Sequence, residues 1–347
     1  MKKTLAALIV SAFAASAANA AVVYDNEGTK VELNGSLRLI LEKADAKKYD
    51  AVGNSTKTAN SALRNAGSRF GITVKHNLDN DFYALGRLES RFDDTESRDQ
   101  FGSLYAKRAY VGLGSKATGD ITFGRQLTIA DDLTQANDYE YGFIPKGKYI
   151  PTSGTGVVRY DYKGIEGLQL SANYNFGQTN NEKGKPLNPG IKNAYAVGAL
   201  YTAGDLDARL AYGHTNLETN ATYKHRVDGF LASLGYKFGD FKLTGDFGYA
   251  HVKKDSDKTN KFYVSPGFAY QVTPASQVYG NYLYERVKGE ADKDKTHGFL
   301  LGADYKLHKQ VVLFVEGKYV TTKEYVNDSY DGKTKDRAIG VGMRVFF

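Results

Sequence analysis

From about residue 30 to its last residue the sequence repeats one pattern: a stretch of alternating apolar and polar side chains, a turn, then another such stretch. "VELNGSLRLILE" sets Val31, Leu33, Leu37, Leu39 and Leu41 against Glu32, Asn34, Ser36, Arg38 and Glu42. "LQLSANYNF" sets Leu168, Leu170, Ala172, Tyr174 and Phe176 against Gln169, Ser171, Asn173 and Asn175. A period of two belongs to a strand with one apolar and one polar face. The last stretch, "RAIGVGMRVFF", alternates to its final residue, with Ile339, Val341, Met343, Val345 and Phe347 on one face and Arg344 on the other.

The connections come in two kinds that take turns. Short ones fall at 78–81, 114–119, 163–167, 202–205, 238–240, 273–276 and 307–310. Longer polar segments fall between them, at 43–64, 94–103, 126–156, 177–190, 217–225, 253–260, 288–296 and 324–336. Seven short turns and eight long loops require sixteen strands. Strands of about 9–12 residues match the length that spans a bilayer when tilted. A soluble sandwich also has one apolar face, but short turns at one end and long loops at the other belong to an outer-membrane barrel. Aromatic residues at strand ends, such as Phe82, Tyr83, Phe238 and Phe241, would form interfacial girdles. Closing the barrel requires the terminal strand to pair with the first, because a free edge is not tolerated in lipid.

This architecture reconciles a mean hydropathy of −0.46 with a membrane protein, since the polar face lines a wet lumen. The start of the chain gives the compartment. "MKK", the apolar run "TLAALIVSAFAASA" and the small residues Ala18 and Ala20 read as an export signal over residues 1–20, cleaved between Ala20 and Ala21. The remainder, 21–347, has no linker and reads as one domain. Without Lys2 and Lys3 it carries 44 basic and 39 acidic side chains, a mild excess that does not point to nucleic acid. With no cysteine, the chain has neither a disulfide nor a thiol nucleophile.

Several stretches resemble the general porins of Gram-negative outer membranes: "GSRFGI" (67–72), "KRAYVGLGSKATGDITFGRQ" (107–126), "VVRYDYKGIEGLQLSANYNF" (157–176) and "GVGMRVFF". "TIADDLTQANDYEYG" and "YIPTSGTG" are similar to the major porins of the Haemophilus–Pasteurella group. The loop element "PEFGG" of enteric porins is missing. The resemblance implies a homotrimer of sixteen-stranded barrels in outer-membrane lipid and lipopolysaccharide. It also implies a third long loop folded into the lumen, with acids facing a basic wall.

The third and longest loop, 126–156, holds Asp131, Asp132, Asp138 and Glu140. Arginines recur on the polar face of the early strands: Arg38, Arg69, Arg87, Arg91, Arg108 and Arg159. Arginine on a lipid face would cost about 2–4 kcal/mol at mid-membrane, so parity puts these inside. Arg125 matches the family's basic "GR" position but shares parity with Ile121 and Phe123. Its inward placement requires an irregularity near Gly124. Opposed acid and base rows across a narrow wet opening bias which ions pass. The terminal Phe347 resembles the signal that outer-membrane assembly recognises.

Three other functions fit the sequence less well. An outer-membrane hydrolase needs Ser, His and a carboxylate in register, but the six histidines fall on six different strands or loops. A sugar-specific channel needs an aromatic track in the lumen, whereas Tyr174, Tyr201, Tyr212, Tyr236 and Tyr249 have outward parity. An adhesin or receptor would act through lysine-rich loops such as "EKADAKKYD" and "KGEADKDKT". The favoured reading is a passive, water-filled diffusion pore for small hydrophilic solutes and ions, with no enzyme activity and no metal or other cofactor.

Overall fold

In the computed structural model of the protein, residues 20–93, 101–219 and 224–347 are described. The leader expected over 1–20 lies outside them except for Ala20. The described chain forms nineteen antiparallel strand segments in one closed sheet. They are β1 (Ala21–Asn26), β2 (Thr29–Asp50), β3 (Ser55–Asn65), β4 (Arg69–Asn77), β5 (Phe82–Asp93), β6 (Ser103–Ser115), β7 (Gly119–Leu127), β8 (Ser153–Ile165), β9 (Leu168–Asn175) and β10 (Gln178–Asn180). There follow β11 (Pro186–Ala203), β12 (Leu206–Leu217), β13 (His225–Phe238), β14 (Phe241–Lys254), β15 (Asp257–Thr273), β16 (Ser276–Lys288), β17 (Asp292–His308), β18 (Val311–Val326) and β19 (Ser329–Phe346).

Sixteen of these runs make the wall. β3 and β4 both pair with β2 and form one strand interrupted at residues 66–68. β9 and β10 likewise both pair with β11. β1 is an extra hairpin arm on β2. β19 closes the barrel on β2, from Gly332 opposite Asp50 to Phe346 opposite Ser36. Phe347 continues the seam by exchanging backbone hydrogen bonds with Gly35, at 2.8 and 3.1 Å.

The alternation sorts side chains as expected. Leu41, Leu301, Ile339 and Val341 stand about 60% exposed on the outside, where lipid covers them. Ile40, Gly340 and Gly342 point inward. All seven short turns lie where the sequence put them.

The long connections differ from expectation. β2 has 22 residues and β19 has 18, against the 9–12 expected. Most of 43–64, 253–260 and 324–336 is paired strand. At 324–336 the connection shrinks to Asn327–Asp328, both at positive φ, a tight hairpin turn. Above the membrane both faces of a hairpin are wet, so its sequence is polar throughout and reads as loop. Residues 94–100 and 220–223 of two other expected loops lie outside the described ones. Among the described residues, only 128–152, between β7 and β8, forms a long irregular connection, with two short 3-10 turns at Ile129–Asp132 and Lys146–Lys148.

The buried apolar core lies inside the barrel. Ile129, Leu133, Tyr149 and Ile150 of the long connection pack on Ala196, Ala211, Leu231 and Ala250 of the inner wall.

Candidate functional site: the lumen constriction

The segment 128–152 enters the lumen because both of its ends are fixed at the wall. The Thr128 N–H donates to the Thr152 carbonyl at 3.0 Å, and its hydroxyl to Pro151 at 2.5 Å. The apolar side chains just inside the neck need cover, and the facing wall is cut down to receive them. A Cβ on Gly229 would lie 2.2 Å from the Tyr149 carbonyl oxygen, and one on Gly213 2.6 Å from Ile150. Glycine is required there by close approach.

Beyond this core the loop is held by wall carboxylates that accept its backbone N–H groups. Asp246 takes the N–H of Gln135 (2.9 Å) and Ala136 (3.1 Å) and the Thr134 hydroxyl (3.1 Å). Glu316 is fully buried and takes three successive N–H groups, those of Tyr139, Glu140 and Tyr141, at 2.7, 2.8 and 2.6 Å. Tyr279 donates its hydroxyl to the same carboxylate at 2.8 Å. Converging N–H groups of this kind form an anion-binding concavity, filled here by the protein's own glutamate. Glu42 accepts from Tyr141 and Arg64, and Arg64 also pairs with Glu140 at 2.7 Å.

What the loop leaves open is a cavity of about 520 Å³. One side carries Arg38, Arg69, Arg108 and Arg344, and the loop side carries Asp131, Asp132, Asp138 and Tyr139. Arg38 and Arg344 lie directly opposite each other on β2 and β19. Arg69 faces Ser36 across β2 and Arg91 across β5. Among the described residues, no carboxylate lies within ion-pair distance of Arg38, Arg69 or Arg344. Arg38 donates to Ser36 at 2.7 Å and Arg69 to the Gly67 carbonyl at 3.1 Å, while Arg344 stacks 4.5 Å over the Tyr139 ring. One carboxylate, the buried Glu89, serves three guanidiniums: Arg91 at 2.7 Å, Arg87 at 2.9 Å and Arg108 at 3.7 Å.

The structure therefore brings together six of the residues singled out in the sequence: Arg38, Arg69, Arg108, Asp131, Asp132 and Asp138. The other five lie elsewhere. Arg87 and Arg91 stay beside Glu89 on the wall. Arg159 is buried between Asp161 and Asp132, each at 2.9 Å, and ties the loop to β8. Glu140 is turned to Arg64. For Arg125, the register of β7 on β8 slips between Gly124 and Gln126, and Gly124 sits at φ +132°. The arginine then donates to the carbonyls of Ala106 (2.7 Å) and Glu182 (3.1 Å), away from the cavity. Burial works to raise the neighbouring Glu182 carboxyl, but Lys107 beside it outweighs this and holds it below the ordinary carboxylate range.

The anchoring acids Glu42, Asp246, Glu316 and Glu285, which accepts the Tyr149 hydroxyl at 3.2 Å, were not singled out in the sequence. Their signal was a single acid at inward parity on a strand such as "LTGDFGYA" or "LFVEGKYV". Arg209, which donates to the loop carbonyls of Asp132 (2.8 Å) and Thr134 (3.1 Å), was also missed.

Comparison with known proteins gives a consistent picture. A family model described as Gram-negative porin matches residues 4–340. The major outer membrane protein of Pasteurella multocida is 31% identical, with both chains covered in full. Among solved structures, the trimer form of OmpT from Vibrio cholerae superposes with a TM-score of 0.69 at 19% identity, covering 92% of this chain and all of that one. An anion-selective porin from Comamonas acidovorans gives 0.63 at 17% identity, covering 92% and 100%.

Proposed function

The chain belongs to the Gram-negative porin family, and on that premise we propose that the slot between Arg38, Arg69 and Arg344 and the acidic loop is its ion-discriminating constriction. The protein is an outer-membrane general diffusion porin whose lumen forms a water-filled channel. The observation that carries the proposal is the loop 128–152, packed inside the barrel and leaving an opening with Arg38, Arg69 and Arg344 on the wall and Asp131 and Asp138 on the loop. Small hydrophilic solutes and ions pass by diffusion down their own gradient. The channel uses no cofactor and catalyses no reaction.

Neutralising Arg38 and Arg69 together to Gln should move the reversal potential in a salt gradient toward cations. Neutralising Asp131 and Asp138 to Asn should move it toward anions. The Debye length is about 10 Å at 0.1 M salt and about 3 Å at 1 M, so a wall charge reaches ions across the slot in the first case and barely in the second. Both shifts should shrink markedly at 1 M. Replacing Lys253 and Lys254 at the top of β14 should do much less at either concentration. If those lysines dominate, or the shifts persist at 1 M, the slot is not the selective element.

We further propose a homotrimer of mature chains beginning at Ala21. The small residues before Ala21 suit export cleavage, and the similar Vibrio OmpT is described in a trimer form. Native mass spectrometry of the detergent-solubilised protein should return three times the mass of 21–347. A monomer mass, or a chain retaining Met1, would refute the corresponding half of this reading.

A further inference from the structure

The connection from β9 to β11 does not rise as a straight extension of the wall. β9 and β11 stay paired up to Asn175 opposite Ala194. Above that rung β10 pairs with β11, and β11 slips register against β12 between Ile191 and Asn193. Gly177 and Gly190 stand at this level, one on each arm of the hairpin. A break in the ladder with a glycine on both arms is a place where the hairpin can bend as a unit.

Beyond the bend the hairpin crosses β8 and β7 and ends on β6. Gln178 Oε1 accepts the Thr155 N–H and hydroxyl of β8, at 2.8 and 3.1 Å. The Glu182 carbonyl accepts from Arg125 of β7 at 3.1 Å, and the Glu182 carboxylate pairs with Lys107 of β6. Lys183 stands 5.8 Å over the ring of Tyr105. Tyr105 lies directly opposite Arg91, on the lumen face of β6. The tip of the hairpin is therefore on the lumen side of the wall, at the end of the long connections. Lys107 is next in sequence to Arg108, so the tip overhangs the arginine side of the slot.

Packing does not hold it there. Among the described residues, neither buried apolar cluster behind the loop 128–152 includes a residue of 177–190. Between hairpin and wall lies instead a hollow of about 600 Å³ lined by polar groups, among them Arg125, Thr155, Gln178, Asn181 and Glu218. A hollow of that size and polarity holds water. The loop 128–152 is fixed by an apolar core, whereas this hairpin is fixed near its tip by a few polar contacts over a wet space. Such contacts open at far lower free energy than a packed core does.

We propose that the hairpin 177–190 is a hinged flap forming a second, size-limiting restriction at the outer mouth, with the Lys107–Glu182 ion pair as its latch. The proposal rests on the diffusion-porin reading and adds a restriction that the slot residues do not set. The two side chains of the latch are 14% and 23% exposed, so solvent weakens the pair without abolishing it.

The test uses the full folded protein and two readouts. Trypsin acting on the detergent-solubilised protein reports the latch by cutting the Lys183–Gly184 bond at the tip; the nearby Lys185–Pro186 bond resists it. Swelling of protein-containing liposomes in a neutral monosaccharide and in a neutral trisaccharide reports the mouth, because neither sugar responds directly to the charges removed. E182Q and K107Q should each speed cleavage at this bond about five- to tenfold and raise the trisaccharide rate relative to the monosaccharide rate. E166Q, at a short turn of the opposite end, should match the wild type in both. Raising salt from 0.1 to 1 M shortens the Debye length from about 10 to about 3 Å; it should bring the wild type toward E182Q and leave E182Q where it is. Cleavage no faster in E182Q and K107Q than in the wild type would overturn the latch, and an unchanged ratio of sugar rates would overturn the restriction. A wild type that passes neither sugar would refute the diffusion pore instead, with cleavage still deciding the flap. If the variants do not fold, the wild type decides alone: cleavage that fails to rise with salt overturns the proposal.

Discussion

Replacing Glu316 by alanine should turn a narrow, quiet channel into a wider and noisier one while leaving the barrel closed. The carboxylate holds the backbone N–H groups of Tyr139, Glu140 and Tyr141 and the Tyr279 hydroxyl. Hydrogen bonds to a charged group contribute about 1.5–3 kcal/mol each. If water replaces half of them, the segment still loses about 3–6 kcal/mol of anchoring, enough to bring local opening into the populated range. Asp246 and the apolar neck would keep the rest of the loop in place. The freed part is the stretch carrying Asp138 and Tyr139, the loop side of the slot. Planar-bilayer recordings should therefore show higher conductance and more open-channel noise, with heat-modifiable gel mobility unchanged. Glu324→Ala, on the same strand beyond the slot, is the control. Unchanged conductance and noise in the Glu316 variant would mean that the loop is held by its packing alone.

Phe347→Ser should cut the yield of folded barrel far more than Phe92→Ser. Phe347 is the last rung of the seam between β19 and β2: its N–H and C=O both bond to Gly35. Its ring occupies the space over Gly35, where a Cβ would lie 2.5 Å from it. Phe92 packs edge-on against Phe101 at 4.9 Å, within one side of the wall. Burial of a phenylalanine contributes about 1.5–3 kcal/mol at either site, a factor of about ten to a hundred in a folding balance. At the seam, the same loss also opens the only junction that closes the sheet on itself. Resistance of membrane-embedded protein to urea and protease, compared between the two variants, reads this out. Equal yields would show that the seam tolerates fraying at its last pair and that Phe347 has no special part in assembly.

The wall was legible in the sequence because lipid imposes a rule on every second residue, and a rule repeated that often cannot be missed. Arg38, Arg69 and Arg108 could be placed in the lumen by the same rule, since no other position at that parity meets lipid. Even the departure at Arg125 announced itself, through the neighbouring Gly124. The outer hairpins were illegible for the opposite reason: above the membrane nothing penalises a polar side chain on either face, so paired strand and loop have the same composition. The anchors of the loop were hidden by distance. Glu316 meets Tyr139–Tyr141 across 175 or more residues of sequence, and only the curvature of the closed sheet brings them together. Arg159 and Glu140 were expected at the constriction, but neither strand parity nor membership of the loop distinguishes a side chain facing water from one tied to a buried partner, here Asp132 and Arg64.

The continuation of β18 and β19 as a paired stem up to Asn327–Asp328 has a consequence for how this molecule tolerates changes in length. One residue added within the stem, between Tyr319 and Lys323, would turn every side chain beyond it to the opposite face and carry Lys323 from the outer surface to the channel mouth. The same residue added at the tip would disturb nothing beneath it. Whole segments inserted between Asn327 and Asp328 would stand on a rigid stalk well clear of the membrane, in contact with neither the slot nor the seam. The hairpin is thus a natural mounting point for foreign peptides displayed at the cell surface.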